Sequence, residues 1–351
     1  MVVKVRKSSV NLREKLNELD RPAGIAGEAM LRAETKEDQF NLIGAGRKNL
    51  VINGAMDIWQ RGTSSNSSGL DYFAMDRFWT YNVQGSIQRS TDVPPGETFA
   101  YSMHIDGSIS AFGQPIEFPE TGVSCLKKNT YYTVSFWVKG EDGIYSDKTT
   151  GQRVYVTTRY RTNKGSGTNN VNIGNGAEMF SIYPYWTRQQ ITFYTGNVQP
   201  DAANRFFDLE FGGLAIARGD LWFTGFQLEE GREATPFERR LPGEELALCQ
   251  RYYQVLNKGR IGGVINGGGL GIVANQFVQP YMRDDPDITI NGTIGLYYMA
   301  GDVQVGTSIT GASSFTGYNL NLFKADGNTG DGYSFWCDFT SSAYLAFNAE
   351  L

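Results

Sequence analysis

The run Thr130 to Lys139, TYYTVSFWVK, sets Tyr132, Val134, Phe136 and Val138 at every second position. A period of two is the side-chain repeat of an extended strand with one buried face. Arg153 to Tyr160, Gln189 to Tyr194 and Arg205 to Phe211 repeat the pattern, and Leu221 to Leu228 alternates apolar with small or polar residues. Asn-Gly and Gly-rich turns separate these runs. The chain holds 42 Gly in 351 residues, about one in eight against a usual level of roughly 7%, so turns are frequent. Seven or more such runs between residue 49 and about 240 predict a β-sandwich with jelly-roll-like connections. Hydrophobic residues make up 40% and aromatics 13%, enough to fill a core and too many for a disordered chain.

Other segments organise the chain around that sandwich. Ser9 to Asp20 carries Leu12, Leu16 and Leu19 on one helical stripe, with Ser9 as N-cap and Pro22 as the stop. A helix this short is marginal alone, so the stripe needs a partner in self-association or in docking to another protein. Thr35 to Ile43 reads as a second short helix, closed by Gly44, and the stretch to Asn49 as a hinge. Glu244 to Tyr253 is the one convincing helix of the remainder, with Leu246, Leu248, Cys249, Tyr252 and Tyr253 at mixed helical spacing. Strand patterns and Gly turns then return to the C-terminus. The expected fold class is therefore mainly β. Short N-terminal helices occupy 1–46, a β-sandwich 47–243, a connecting helix 244–256 and a β-rich tip 257–351.

Charge and special residues narrow the function. A net charge of −5 disfavours nucleic acid, which needs a basic face. The first residues hold no apolar run of the signal-peptide kind, and no stretch approaches the length that spans a bilayer, so the chain is expected to be neither secreted nor membrane-embedded. Cys125, Cys249 and Cys337 are odd in number and far apart, which is no disulfide framework. Cys249 reads as a small buried apolar residue. His104 is the sole histidine, so any Ser-His-Asp triad or His-bearing zinc site would have to use it. Its place in the alternating SMHID run predicts a structural or surface role, with no zinc.

Carboxylate pairs that could run glycosidase chemistry are Glu117 with Glu120, Glu229 with Glu230, and Asp284 and Asp285 with Asp287. Neighbours on a strand face opposite ways, so Glu229 and Glu230 are a poor pair, and the Asp cluster beside Pro286 reads as solvated loop. Acidic loops, with Asp71 and Asp76, could also hold Ca²⁺, but no metal or other cofactor is expected. Arg218-Gly219-Asp220 reads as a turn before a strand, and Gly269 to Ala274 as a hairpin without a dinucleotide-binding frame. Aromatics are the remaining resource, as core or as faces on which sugars stack. Most, on alternating strands, are expected in the core. The exposed candidates are Tyr183, Tyr185 and Trp186 around Pro184, and Tyr318, Tyr333 and Trp336 among Gly, Asn and Asp loops of the tip.

Several linear segments carry a resemblance. FQLEEGREATPFERR followed by GEELALCQRYY, the opening NLVINGAMDIWQRGT with YFAMDRFW, the stretch QFVQPYMRDDPDITI and the ending FNAEL together resemble phage tail-fibre and tail-associated virion proteins over most of residues 40–351. Asn11 to Gly46 is similar to the anchoring region of fibres from short-tailed phages of marine bacteria. The resemblance implies a homotrimer in the virion tail, made in the host cytoplasm. It implies attachment to a tail adaptor or nozzle protein through the N-terminus, where the Leu12, Leu16 and Leu19 stripe read from helical spacing is expected in the contact or in self-association. It implies a host surface glycan or outer-membrane receptor; with no convincing acid–base pair among the carboxylates, contact without catalysis is expected. A glycan-cleaving tail enzyme and a collar or head-decorating protein are the alternatives.

Overall fold

Alternation along each run decides the architecture. On Tyr131–Gly140, Tyr132, Val134, Phe136 and Val138 are buried together, while Trp137 and Lys139 between them stay partly exposed. The computed structural model divides into Met1–Lys48 and Asn49–Leu351. It describes residues 48–350 except 68, 73, 120–122, 142–153, 163–169, 215–219, 257–259, 267–270, 276–281, 285, 293, 301–302, 317–318, 325–333 and 340–343. The expected N-terminal helices, with Leu12, Leu16 and Leu19, lie outside the described residues.

The strands are β1 (Ser64–Ser65), β2 (Trp79–Tyr81), β3 (Gln84–Ser90), β4 (Ser102–Ser108), β5 (Ala111–Glu117), β6 (Tyr131–Gly140), β7 (Val154–Arg161), β8 (Val171–Phe180), β9 (Thr187–Tyr194), β10 (Phe206–Gly212) and β11 (Leu221–Glu230). They form two antiparallel sheets, ordered β1-β3-β4-β11-β6-β9 and β2-β5-β10-β7-β8. The two inner faces share one core. Met103, Ile105, Phe136, Phe223 and Phe226 of the first sheet meet Phe112, Val156, Phe207, Leu209 and Phe211 of the second. Phe112 and Phe211 stack with centroids 4.9 Å apart, and Phe136 meets Phe211 edge-on at 4.9 Å. This is the expected sandwich.

One irregularity sets which side chains of β11 face out. Pairing with β6 shifts register between Thr224 and Gln227. Gly225 sits in the bulge at φ +68, and a Cβ there would come within 2.7 Å of the Phe99 ring. The extra residue lets Phe223, Phe226 and Leu228 all enter the core while Trp222, Thr224, Gln227 and Glu229 keep the outer face.

Polar side chains of the segments NLVINGAMDIWQRGT and FQLEEGREATPFERR hold these layers together. Asn49 Oδ1 accepts Val51 N–H and Leu228 N–H, and its amide donates to Phe226 O at 3.0 Å. Asn53, at φ 60, accepts Ile58 N–H and donates to Ile58 O and Asp76 O. Its own N–H goes to Glu245 at 2.6 Å, which also receives Arg240. Glu229 accepts both the N–H and the hydroxyl of Thr235, and Arg188 donates to Thr235 O. Residues 231–238 are thereby laid over the outer face of the first sheet.

The connecting helix is shorter than expected. Helix α1 spans Pro242–Gln250, and Tyr253–Leu256 is strand β12, not its continuation. Tyr252 N–H closes back on Cys249 O, after which Tyr253 to Leu256 pair with Asn348 to Leu345. A complete ladder with a distant strand outweighs the helical spacing of Tyr252 and Tyr253.

The remaining strands are β13 (Arg260–Asn266), β14 (Gly271–Asn275), β15 (Asp287–Asn291), β16 (Ile294–Ala300), β17 (Val303–Thr316), β18 (Asn319–Lys324), β19 (Ser334–Phe339) and β20 (Tyr344–Asn348). A three-stranded sheet β12-β20-β15 carries a closed barrel, β13-β14-β18-β17-β16-β19, built in two excursions from it. The three-stranded sheet is fastened to the sandwich by buried charge. Glu350 takes Arg77 and Arg61, Arg77 also donates to Pro115 O at 2.7 Å, and its guanidinium lies 3.4 Å from the Tyr252 ring centroid. Arg61 lies 3.7 Å from the Tyr253 ring centroid. Arg283 donates to Ala349 O at 3.1 Å.

Candidate functional site

The segment 231–238 covers only one end of the outer face of the first sheet. At the other end the register aligns Gln88, His104, Trp222 and Lys139 in one row across β3, β4, β11 and β6. The His104 and Trp222 rings stack at 4.6 Å with 4° between planes. Lys139 Nζ lies 4.2 Å from the Trp222 ring centroid and 5.8 Å from that of Trp186. Trp186 arrives from the turn before β9, which Gly140 N–H anchors by donating to Tyr183 O at 2.9 Å. Pro184 cannot donate to a ladder, so the chain turns there and leaves the Tyr185 side chain outside the sheet. Tyr185 is 59% exposed and its ring stacks on Tyr183 at 5.5 Å.

Two carboxylates flank this aromatic row. Asp92 pairs with Lys139 and accepts the Trp186 indole N–H at 2.9 Å. Partial burial pushes its carboxyl up, but the Lys139 and Trp186 hydrogen bonds and the Lys139 charge outweigh that and hold it below its ordinary value. Asp220 Oδ2 lies 2.8 Å from His104 Nε2, while its Oδ1 accepts Gly107 N–H. These partners fix the orientations of Trp186 and His104. His104 covers one face of the Trp222 ring and Lys139 lies over the other, so the open ring face at this end is that of the exposed Tyr185, beside charged donors and acceptors. An exposed ring face beside such groups suits a ligand with flat apolar faces and hydroxyl rims.

The sequence-selected residues separate accordingly. Tyr183, Tyr185 and Trp186 come together here. Trp336 lies on β19 opposite Gly262 and Tyr297, and Tyr318 and Tyr333 lie outside the described residues. Glu229 is buried on Thr235, while Glu230 is on the surface with Lys127. Glu117 is held by Arg251 and Tyr252, and Asp284 pairs with Arg283. Glu120, Asp285, Arg218 and Gly219 lie outside the described residues. Asp76 is fully buried and engaged by Gln60 and Arg61, and burial pushes its carboxyl up to about 6. Among the described residues no group of three His, Cys, Asp or Glu could hold a metal ion. Cys249 is buried, and burial of Cys125 pushes its thiol up to about 12. No helix among the described residues is long and apolar enough to cross a membrane.

Trp222, Lys139, Asp92 and Asp220 are not among the residues the sequence singles out for binding. For Trp222 the signal was present in its phase. In LWFTG the core residues are Leu221 and Phe223, so a period of two sends Trp222 outward. Asp92 and Asp220 carry no such signal, lying just beyond β3 and just before β11, outside the alternating runs.

No family model matches the chain, and no curated protein matches it. Among solved structures, a family 16 carbohydrate-binding module is 18% identical, with a TM-score of 0.30 over 51% of this chain and 99% of its own. The CBM22-1 xylan-binding domain of Paenibacillus barcinonensis Xyn10C is 12% identical, with a TM-score of 0.29 over 54% and 99%. The enzymatically active domain of bacteriophage CBA120 tailspike protein 4 is 11% identical, with a TM-score of 0.31 over 52% of this chain and 21% of its own.

Proposed function

We propose that the chain is a structural virion protein, a phage tail fibre that attaches to the tail through residues 1–46 and meets a host surface glycan through its β-domains. The observation that carries glycan contact is the exposed Tyr185 ring, backed by Tyr183 and set beside Trp186 and the row His104, Trp222 and Lys139. Aromatic faces take the apolar side of a sugar ring, and Asp92, Asp220 and Lys139 at the edge take hydroxyls. Single contacts of this kind are weak. Three copies in a homotrimer, with several fibres on a particle, raise the effective concentration for each later contact.

Binding of the full-length protein to host cells tests the site. Tyr185→Ala and Trp186→Ala should each weaken it roughly tenfold, the scale of one lost stacking contact. Tyr194→Ala, at the far end of β9, should not. Full binding by both variants would move recognition elsewhere, and exchange of residues 257–351 with a related fibre would then shift host range. Reducing ends released from host polysaccharide would favour a cleaving enzyme. Light scattering should give three times 38.9 kDa, and a monomer at micromolar concentration would refute the trimer. Chains lacking residues 1–46 should fold but fail to enter particles.

A further inference from the structure

The second sheet ends at β8, and an Asn–Gly pair sits in a bulge on that edge strand. Thr157 pairs with Ala177 and Arg159 with Asn172, so residues 173–176 all stand opposite Thr158. Gly174 at φ +59 and Gly176 at φ +76 make the bulge. A Cβ at Gly176 would come within 3.0 Å of the Asn172 side chain, so space and backbone conformation both require glycine there. Asn175, between the two glycines, is exposed, and its side-chain amide donates to the Glu178 carboxylate. That contact lies on the surface, where water competes for both groups.

An asparagine followed by glycine can close a ring on itself. Glycine has no Cβ to obstruct the approach of its backbone nitrogen to the preceding side-chain carbonyl. Closure also needs local freedom, because an asparagine held in a ladder or a buried network must first open. The sequence has Asn–Gly pairs at 53, 175, 266 and 291. Asn53 is fully buried, its amide donates to Ile58 O and Asp76 O, and its Oδ1 takes the Ile58 N–H. Asn291 is exposed, but it pairs with Tyr344 in the ladder of β15 with β20, and its amide donates to the Tyr344 hydroxyl at 2.8 Å. The pair at 266 extends beyond the described residues. Asn175 alone among the described pairs is both exposed and outside ladder register.

We propose that Asn175 is a site of spontaneous covalent modification, converting to aspartate and isoaspartate through a cyclic imide with water as the reactant. The backbone nitrogen of Gly176 loses its proton to solvent base and attacks Cγ of Asn175. The new N–Cγ bond forms, the Cγ–Nδ2 bond breaks, and Nδ2 leaves as ammonia with a proton from water. Water then opens the imide. Cleavage of N–Cγ gives aspartate, and cleavage of the original peptide bond gives isoaspartate, whose main chain runs through the side chain and is one carbon longer. Either product adds one negative charge to the net −5 of the chain. The new carboxylate meets Glu178, so an attractive contact becomes a like-charge one and the β8 edge rearranges. The inference is independent of the glycan reading, because β8 belongs to the second sheet.

Ageing of the full-length protein tests this. Samples are held at physiological temperature and mildly alkaline pH, folded in buffer and unfolded in urea, and digested at intervals. Mass spectrometry follows the gain of one mass unit in each peptide, and enzymatic methylation of isoaspartate identifies the product. In the folded protein the Asn175 peptide should convert first, at least roughly tenfold faster than those of Asn53 and Asn291, which react only through local opening. In urea the three should convert at similar rates, which shows that the fold sets the order. Asn175→Gln keeps a donor for Glu178 and disfavours ring closure, so it should fold as the parent does and remove the early acidic form seen on anion exchange. An Asn175 peptide still unchanged in the folded protein when its counterpart in urea has converted would overturn the proposal. So would folded Asn291 or Asn53 converting as fast as Asn175, or an early acidic form that persists in Asn175→Gln.

Discussion

Glu350 offers the sharpest test of how the C-terminal sheet is fixed to the sandwich. Arg77, 1% exposed, has Glu350 as its anionic partner, and the Tyr252 ring and Pro115 O complete its surroundings. Burial works against the Arg77 charge, and Glu350 outweighs it, keeping the guanidinium protonated. Removing one member of a buried pair strands the other and costs about 3–5 kcal/mol. In Glu350→Gln the amide oxygen can still accept a hydrogen bond, and Arg61 retains Asp76. The expected loss is therefore about 2–3 kcal/mol, below the full penalty. Arg77→Met should cost at least as much. The double variant should cost less than the sum of the singles by about 1–3 kcal/mol, because neither charge is then left alone. Urea unfolding, with midpoint and slope compared across the four proteins, measures this. Singles that each cost under about 0.5 kcal/mol, or that add, would show that the pair does not hold the sheet.

Burial pushes both Asp76 and Asp208 up to about 6. The folded protein then holds protons that the unfolded chain has lost, so these two groups make stability fall as pH rises from about 4 to 6, by up to a few kcal/mol each. Melting temperature against pH should show this as the difference between the parent and Asp76→Asn, and identical profiles would refute it. Gly225→Ala places a side chain at φ +68 against Phe99 and Trp137 and should cost about 2 kcal/mol or more. An unchanged denaturation midpoint would show that the bulge does not need glycine. Asn53→Ala strands three buried hydrogen-bond partners at about 1–3 kcal/mol each. Soluble protein with parental stability would contradict the scaffold role of that motif.

The strands and the sandwich were legible because a period of two is a local property. TYYTVSFWVK commits its own faces whatever it later packs against. The turn at Pro184 was legible for the same reason, and with it Tyr183, Tyr185 and Trp186. Other features depended on partners far along the chain. Tyr253 to Leu256 has helical and extended spacing at once, and only the ladder with β20 decides between them. Trp222 points outward by its phase with Leu221 and Phe223, but only the pairing of β11 with β4 and β6 sets it between His104 and Lys139. Asp92 and Asp220 reach that row from loops whose composition signals only turns. Asp208 and Glu210 alternate openly within RFFDLEF, yet what distinguishes them, the shared partner Arg161, comes from another strand. Local pattern specifies which way a side chain points, because backbone geometry repeats every two residues. What it meets there depends on which strands pair, and that is settled by the burial of the whole core.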